Sequence, residues 1–214
     1  VPGLDAGALS VVGSGSALPE AARAVIGPGT GLGVSGLMPD GHGDWRVIAG
    51  EGGHVTLAAA TAREASLIDV LRERFGHVSA ERALSGPGLV NLYEAVCAVD
   101  RAPPATLEPA QVMARAFGDD GAPLDPRCNE AVTHFAAFLG NVAGNLALTL
   151  GARGGVFIGG GIVPRLGPRF SRLPFRARFE DKGRFNTYLK AIPTWVITAE
   201  SPALLGASRA LDRP

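Results

Sequence analysis

The stretch AVIGPGTGLGVSGLMPDGHGDWRVIAG, residues 24–50, decides the fold. Two apolar runs rich in β-branched and small residues flank GPGTGLG between Ala24 and Met38. A third run, WRVIAG, follows the turn-rich MPDGHGD, where Pro, Gly and Asp punctuate the chain. This spacing predicts three strands in a meander. Downstream the period changes. AREASLIDVLRERFG places Leu67, Val70, Leu71 and Phe75 on one helical face, with Gly76 as its stop. SAERALSGPGLVNLYEAVCAVD reads as two short helices divided by Gly86, Pro87 and Gly88, EPAQVMARAFG as another helix, and DDGAPLDP as a loop before a long helix. GGVFIGGGIV is then a buried strand running into a glycine turn, followed by short helices, a strand at TWVIT and a last helix in PALLGASRALD. Strands that come first and then alternate with helices predict an α/β fold with a mixed sheet.

At 214 residues and 46% apolar content, the chain can bury a sizeable core. Twenty basic residues balance twenty acidic ones, with neither sign gathered into a block, so composition gives no support for nucleic acid or an anionic membrane as partner. Cys97 and Cys128 stand apart without CxxC spacing and read as reduced thiols of a cytoplasmic protein. The first apolar stretch lacks a basic leader and contains Asp5, which argues against a secretory signal. Residues 131–152 are uncharged when His134 is neutral, and Gly140 and Gly144 match GxxxG. Asn141, Asn145 and Thr149 interrupt them, however, and Val132, Phe135, Leu139, Val142, Leu146 and Leu150 recur at helical spacing, as in a buried core helix.

Two glycine clusters carry the first chemical signal. Gly27, Gly29, Gly31 and Gly33 alternate, so the string satisfies neither GxGxxG nor a P-loop. Around Thr30 they allow a tight hairpin whose N–H groups and hydroxyl can face a phosphate, and a plain hairpin suits them equally. Gly159 to Gly161 follow a strand, where ligands of open α/β sheets gather, although an ordinary strand-to-helix turn has the same composition. In AGEGGHV, Glu51 and His54 stand among Gly50, Gly52 and Gly53, with little apolar surface to serve a core. A carboxylate accepting two hydroxyl protons and an imidazole offering one donor and one acceptor suit the adjacent hydroxyls of a sugar. EGGH is not HExxH, and no cysteine cluster completes a zinc site. His77 and His134 read as structural histidines, and Asp181, Lys182 and Arg184 as a solvated charged turn.

In order and separation, GPGTGLG, GEGGHV, GHVSAERALSGPGLVNLY, GNLAL, GGVFIGGGIVPR and FEDKGRF resemble the bacterial glucokinase family, the ATP-dependent group of the sugar kinase, actin and Hsp70 superfamily. The resemblance covers essentially the whole chain. It implies an actin-like ATPase (ribonuclease H-like) large domain with a mixed β-sheet and flanking helices. It also implies sugar binding by Glu51, His54 and Glu81, a phosphate loop at Gly29, Thr30 and Gly31, and an adenosine-side turn at Gly159 and Gly160. ATP with Mg would be the cofactors, glucose and ATP the partners, and family likeness points to a homodimer.

Family members also carry an N-terminal DxGGT loop and an Asn-Asp-Phe segment whose Asp takes the proton from the sugar's 6-hydroxyl. Neither string occurs here, and the chain opens on Val1 rather than Met. The resemblance therefore places the catalytic Asp upstream of Val1 and no catalytic residue within the chain. Residues 1–193 are expected to form the large domain, and 194–214 a segment returning to the small lobe. A non-catalytic sugar-binding or regulatory fragment is the alternative function. The related repressor and kinase family shares an ExGGH-like segment, but its cysteine cluster and DNA-binding helices are not seen in this sequence.

Overall fold

A computed structural model describes residue 1, residues 4–118 and 122–200, and residues 202, 204 and 206. Residues 119–121 of the expected loop and most of the expected last helix lie outside the described residues, within which Pro202, Leu204 and Gly206 are helical.

The meander forms as expected: β2 (Arg23–Pro28), β3 (Leu32–Pro39) and β4 (Trp45–Gly50) pair antiparallel in sequence order. β5 (Val156–Ile158) then joins β2 in parallel, and β6 (Thr194–Ile197) joins β5 in parallel. β1 (Leu9–Val11), which the sequence did not signal, pairs antiparallel with β6 at the opposite edge, giving the order β1-β6-β5-β2-β3-β4. The sheet is mixed because chain returns through helices deliver parallel strands whereas tight turns deliver antiparallel ones. The expected boundary between residues 193 and 194 falls at the start of β6. Because β6 is hydrogen-bonded to strands on both sides, residues 194–197 belong to the sheet.

Period 2 decides which sheet face is covered. Ala24 and Ile26 of β2 point into the core and are fully buried, while Val25 and Gly27 face the opposite side. The core face packs under α4 (Pro126–Leu150), itself flanked by α2 (Gly86–Val99), α3 (Pro109–Ala116) and α6 (Phe175–Glu180). Phe135, Phe138 and Leu139 of α4 are fully buried. Asp125 caps its first turn and Gly151 ends it in a left-handed conformation. This is the one helix among the described residues long and apolar enough to cross a membrane, and 67% of its most apolar window is buried inside the fold. Its Gly140 and Gly144 lie under the carbonyl oxygens of Phe175 and Phe179, so the two small residues let the α6 backbone rest directly on α4.

Two expectations change. Gly86, Pro87 and Gly88 do not divide two short helices; they are the first turn of the 14-residue α2, preceded by a 3-10 turn at Ala80–Arg82. Proline lacks only an N–H that has no intrahelical partner there, and the Ser85 hydroxyl accepts from Gly88 N–H at 3.0 Å. Lys182 is not in a solvated turn. Its stem covers Gly144 and its ammonium donates to Asn141 Oδ1. Both histidines have side-chain partners: His77 Nε2 lies 3.0 Å from Thr56 Oγ1, and His134 Nε2 lies 3.4 Å from Glu130.

Candidate active site

Leu32, the first residue of β3, links the segments that the sequence singled out. The turn Gly29–Gly31 runs directly into it. Its N–H donates to Glu81 Oε2 at 2.8 Å, and its carbonyl oxygen lies against Gly53 so closely that a Cβ there would overlap it. Gly53 belongs to a 3-10 turn, Gly52–His54, that Glu51 precedes, and His54 N–H donates to Glu51 O at 3.0 Å. The Ala80–Arg82 turn carrying Glu81 lies alongside, tied by Ala80 N–H to Val55 O at 2.8 Å and by a one-residue bridge between Thr56 and Ser79. Glu51, His54 and Glu81 therefore sit on two neighbouring turns that meet at one residue: Glu81 accepts from the Leu32 N–H, and Gly53 packs against the Leu32 carbonyl oxygen. Glu51 and His54 are exposed and Glu81 is partly buried. Since Glu81 spends one oxygen on Leu32, its other oxygen is the acceptor left for a hydroxyl ligand.

The Thr30 turn opens on the far side into a cavity of about 690 Å³. Gly29 and Thr30 line it together with the N-terminus of α2, where Gly86 N–H donates to Gly29 O at 2.8 Å. Met113 and Phe117 supply one apolar wall; Ile162 and Leu166 supply another, with Arg165 and Arg169 beside them. A volume in the range of ligand pockets, a mostly apolar lining and a polar end formed by backbone and a hydroxyl suit a nucleotide with its phosphates towards Thr30. Sequence reasoning missed these walls. Their trace is the repeat of Met113 and Phe117, and of Arg165 and Arg169, at four-residue spacing.

Of the second glycine cluster, only Gly161 lines this cavity. Gly159 and Gly160 border a separate hollow of about 700 Å³ on the sheet face opposite α4, shared with Val25, Val34, Trp45 and Glu51. Gly160 has φ of 76° and passes tightly over Pro28 O, a conformation and a clearance that exclude a side chain. Gly159 N–H completes the turn by donating to Ile26 O at 2.8 Å. The Gly159–Gly161 turn thus separates the two hollows. Among the described residues no group of three or more His, Cys, Asp and Glu side chains could hold a metal ion.

A family model described as Glucokinase matches residues 1–214. The chain belongs to the glucokinase family. It is 58% identical over 212 residues to a glucokinase from Aromatoleum aromaticum, covering 99% of this chain and 62% of that relative. With a glucokinase from Chromobacterium violaceum the identity is 56% over 208 residues, covering 97% of this chain and 58% of the other. Among solved structures, a glucokinase from an Antarctic psychrotroph superposes with a TM-score of 0.90 at 37% identity, over 99% of this chain and 64% of that one. A glucokinase from Balamuthia mandrillaris in complex with glucose superposes with a TM-score of 0.74 at 22% identity over 90% of this chain and 55% of its own, a likeness of fold. The chain spans about three-fifths of the length of the curated glucokinases it matches. Its mixed sheet with flanking helices is the actin-like ATPase fold of these sugar kinases.

Proposed function

We propose that this chain is the large lobe of a glucokinase that transfers the γ-phosphoryl group of ATP to glucose, forming glucose 6-phosphate at the entry to glycolysis in the cytoplasm. The observation that carries the reading is the double grip on Leu32. One residue, Leu32, joins the Thr30 turn, which would hold phosphate, to both turns bearing the proposed sugar ligands, so donor and acceptor sites share a joint.

In this reading Glu51, His54 and Glu81 hold the sugar hydroxyls and fix the ring. Gly29, Thr30 and Gly31 orient the phosphates, and the adenosine lies in the 690 Å³ cavity, reached past the Gly159–Gly161 turn. The Gly29–Gly31 turn would receive the phosphates together with magnesium, which would supply charge neutralisation there. Positioning and charge stabilisation do most of the work in phosphoryl transfer. The group that accepts the proton of the 6-hydroxyl is expected from sequence preceding Val1. Residues 1–193 are read as the large lobe and 194–214 as the returning segment, which leaves that lobe through the sheet strand β6, and the assembly is read as a homodimer.

ATP-dependent formation of glucose 6-phosphate should be assayed with the chain as given and with any in-frame upstream extension that its gene encodes. Turnover by the extended form, with glucose binding but little turnover by the 214-residue chain, is the expected result. Glucose binding without turnover in both forms would favour a non-catalytic sugar-binding or regulatory role. Absence of glucose binding in both would end the glucokinase reading.

A further inference from the structure

We infer that Ser85 is a positioning residue that couples sugar binding to phosphate binding: its hydroxyl fixes the segment from Glu81 to Gly86, which holds the Thr30 turn at both ends. This rests on the ligand assignments proposed above and goes beyond them by making the two sites interdependent.

The Gly29–Gly31 turn closes on itself through Gly29 N–H to Gly31 O at 2.8 Å. At its start, Gly29 O accepts from Gly86 N–H at 2.8 Å. At its end, Leu32 N–H donates to Glu81 Oε2 at 2.8 Å, and the same oxygen lies over Gly31 so closely that a Cβ there would meet it at 2.5 Å. Both tethers of the turn thus come from one short stretch of chain. Ser85 stands between them and is 3% exposed. Its hydroxyl donates to Glu81 O at 2.9 Å and accepts from Gly88 N–H at 3.0 Å, which ties the residue bearing the carboxylate to the first turn of α2.

Glu81 serves both ligands. One of its oxygens anchors the end of the phosphate turn, and the other is the acceptor left for a sugar hydroxyl. A glutamate side chain is rich in rotamers, and holding it in one of them costs conformational entropy. Whichever ligand binds first completes that ordering, so the second meets a carboxylate and a turn already in place. Coupling between two bound ligands is reciprocal, so glucose must tighten the nucleotide by the same factor as the nucleotide tightens glucose. Ser85 sets how much of the ordering is shared. Without its hydroxyl, Glu81 O and Gly88 N–H lose their common partner, and the tether at Leu32 can shift without the tether at Gly86 following it.

The probes are glucose and magnesium AMPPNP, a non-hydrolysable ATP analogue, titrated calorimetrically into the chain, each alone and each with the other at saturation. The expected result is a mutual tightening of at least about fivefold, the lower end of the usual range for coupled sites. In Ser85→Gly the factor should fall below about twofold. Glycine is tolerated at a helix N-cap, and Asn91 Nδ2 still holds Arg82 O at 2.8 Å, so this variant loses the hydroxyl while α2 and the Glu81 turn keep their places. Ser85→Thr, which keeps a hydroxyl, should restore the wild-type factor; a residue that only supports the fold would change stability and leave the factor alone. Two ligands that bind wild type independently would overturn the inference and leave the functional reading standing, as would full coupling in Ser85→Gly or a Ser85→Thr that behaves like Ser85→Gly. If either ligand fails to bind wild type, the ligand assignments fail and this inference falls with them.

Discussion

Replacing Glu64 with alanine is expected to destabilise the fold by about 3–5 kcal/mol, the range for removing one partner of a buried ion pair. Glu64 sits in the first turn of α1 (Ala62–Phe75) with its side chain 3% exposed. Its Oε2 accepts from Arg178 Nη2 of α6 at 2.8 Å and from Ala60 N–H at 2.7 Å. Arg178 is itself 14% exposed, so truncating Glu64 leaves a guanidinium with little water to replace its counter-ion and an N–H without its acceptor. In a chain of this size each kcal/mol moves the melting point by about 2–4 °C, which puts the expected fall at about 6–20 °C. Glu64→Gln, which retains an acceptor for Ala60 and loses only the charge, should fall between wild type and alanine. The decisive comparison is Glu64→Met combined with Arg178→Met. A pair of matched apolar side chains should recover most of the loss of either single change, because the penalty lies in the unpaired charge rather than in the absent bridge. Urea unfolding of wild type, the alanine and glutamine variants, the two single methionine variants and the double methionine variant measures it. A loss below about 1 kcal/mol for Glu64→Ala, or strictly additive effects of the two methionines, would refute the reasoning. There is also a functional consequence. Ala60 and Ala58 are held by Glu64 and by Asn141 Nδ2 respectively, so the pair anchors the loop that follows His54. Glucose affinity should therefore weaken in Glu64→Ala at temperatures where the fold is still intact.

Gly53→Ala should weaken glucose binding at least about tenfold and destabilise by about 1–3 kcal/mol, because the added methyl overlaps the Leu32 carbonyl and must displace the turn holding Glu51 and His54. Calorimetry showing unchanged glucose affinity would remove that turn from the site. Burial pushes the Cys128 thiol up to about 12 and raises Cys97 in the same direction, so neither should react with a thiol reagent at pH 8 until the protein unfolds, when both should. Rapid labelling of folded protein would contradict this. Burial also lowers the His134 imidazole from its ordinary 6.5, against the pull of Glu130. The native state thus binds fewer protons than the unfolded chain at acid pH, and this contribution to stability is full above pH 6.5 and is lost as pH falls through the lowered native value. His134→Gln should flatten that part of the stability profile, and an unchanged acid slope would assign it to other groups.

How far the sequence disclosed this molecule depends on whether the deciding contact was local. The meander was legible because its glycine and proline punctuation acts within a few residues, and α1 because its buried face repeats within one helix. β1 was not, since it has only three residues, two of them exposed, and becomes a strand by pairing with β6 almost the full chain length away. Gly86–Pro87–Gly88 misled for the opposite reason: residues that break a helix interior are harmless in a first turn, and only the Ser85 cap says which position they occupy. Lys182 looked solvated because its partner, Asn141, lies on α4 and the lysine's place over Gly144 is a property of how two helices meet. The candidate site divides in the same way. Glu51, His54 and Thr30 stood out because polar or hydroxyl residues set among glycines are poor core material, which is judged within a short window, whereas Glu81, between Ala80 and Arg82, was reached only through the family resemblance. The cavity walls assemble from Gly29–Thr30, Met113–Phe117 and Ile162–Arg169, segments that look like ordinary helix faces singly. What the site holds was therefore more legible than what it excludes, because ligand-grasping groups carry their chemistry individually whereas selectivity belongs to walls that exist only after packing.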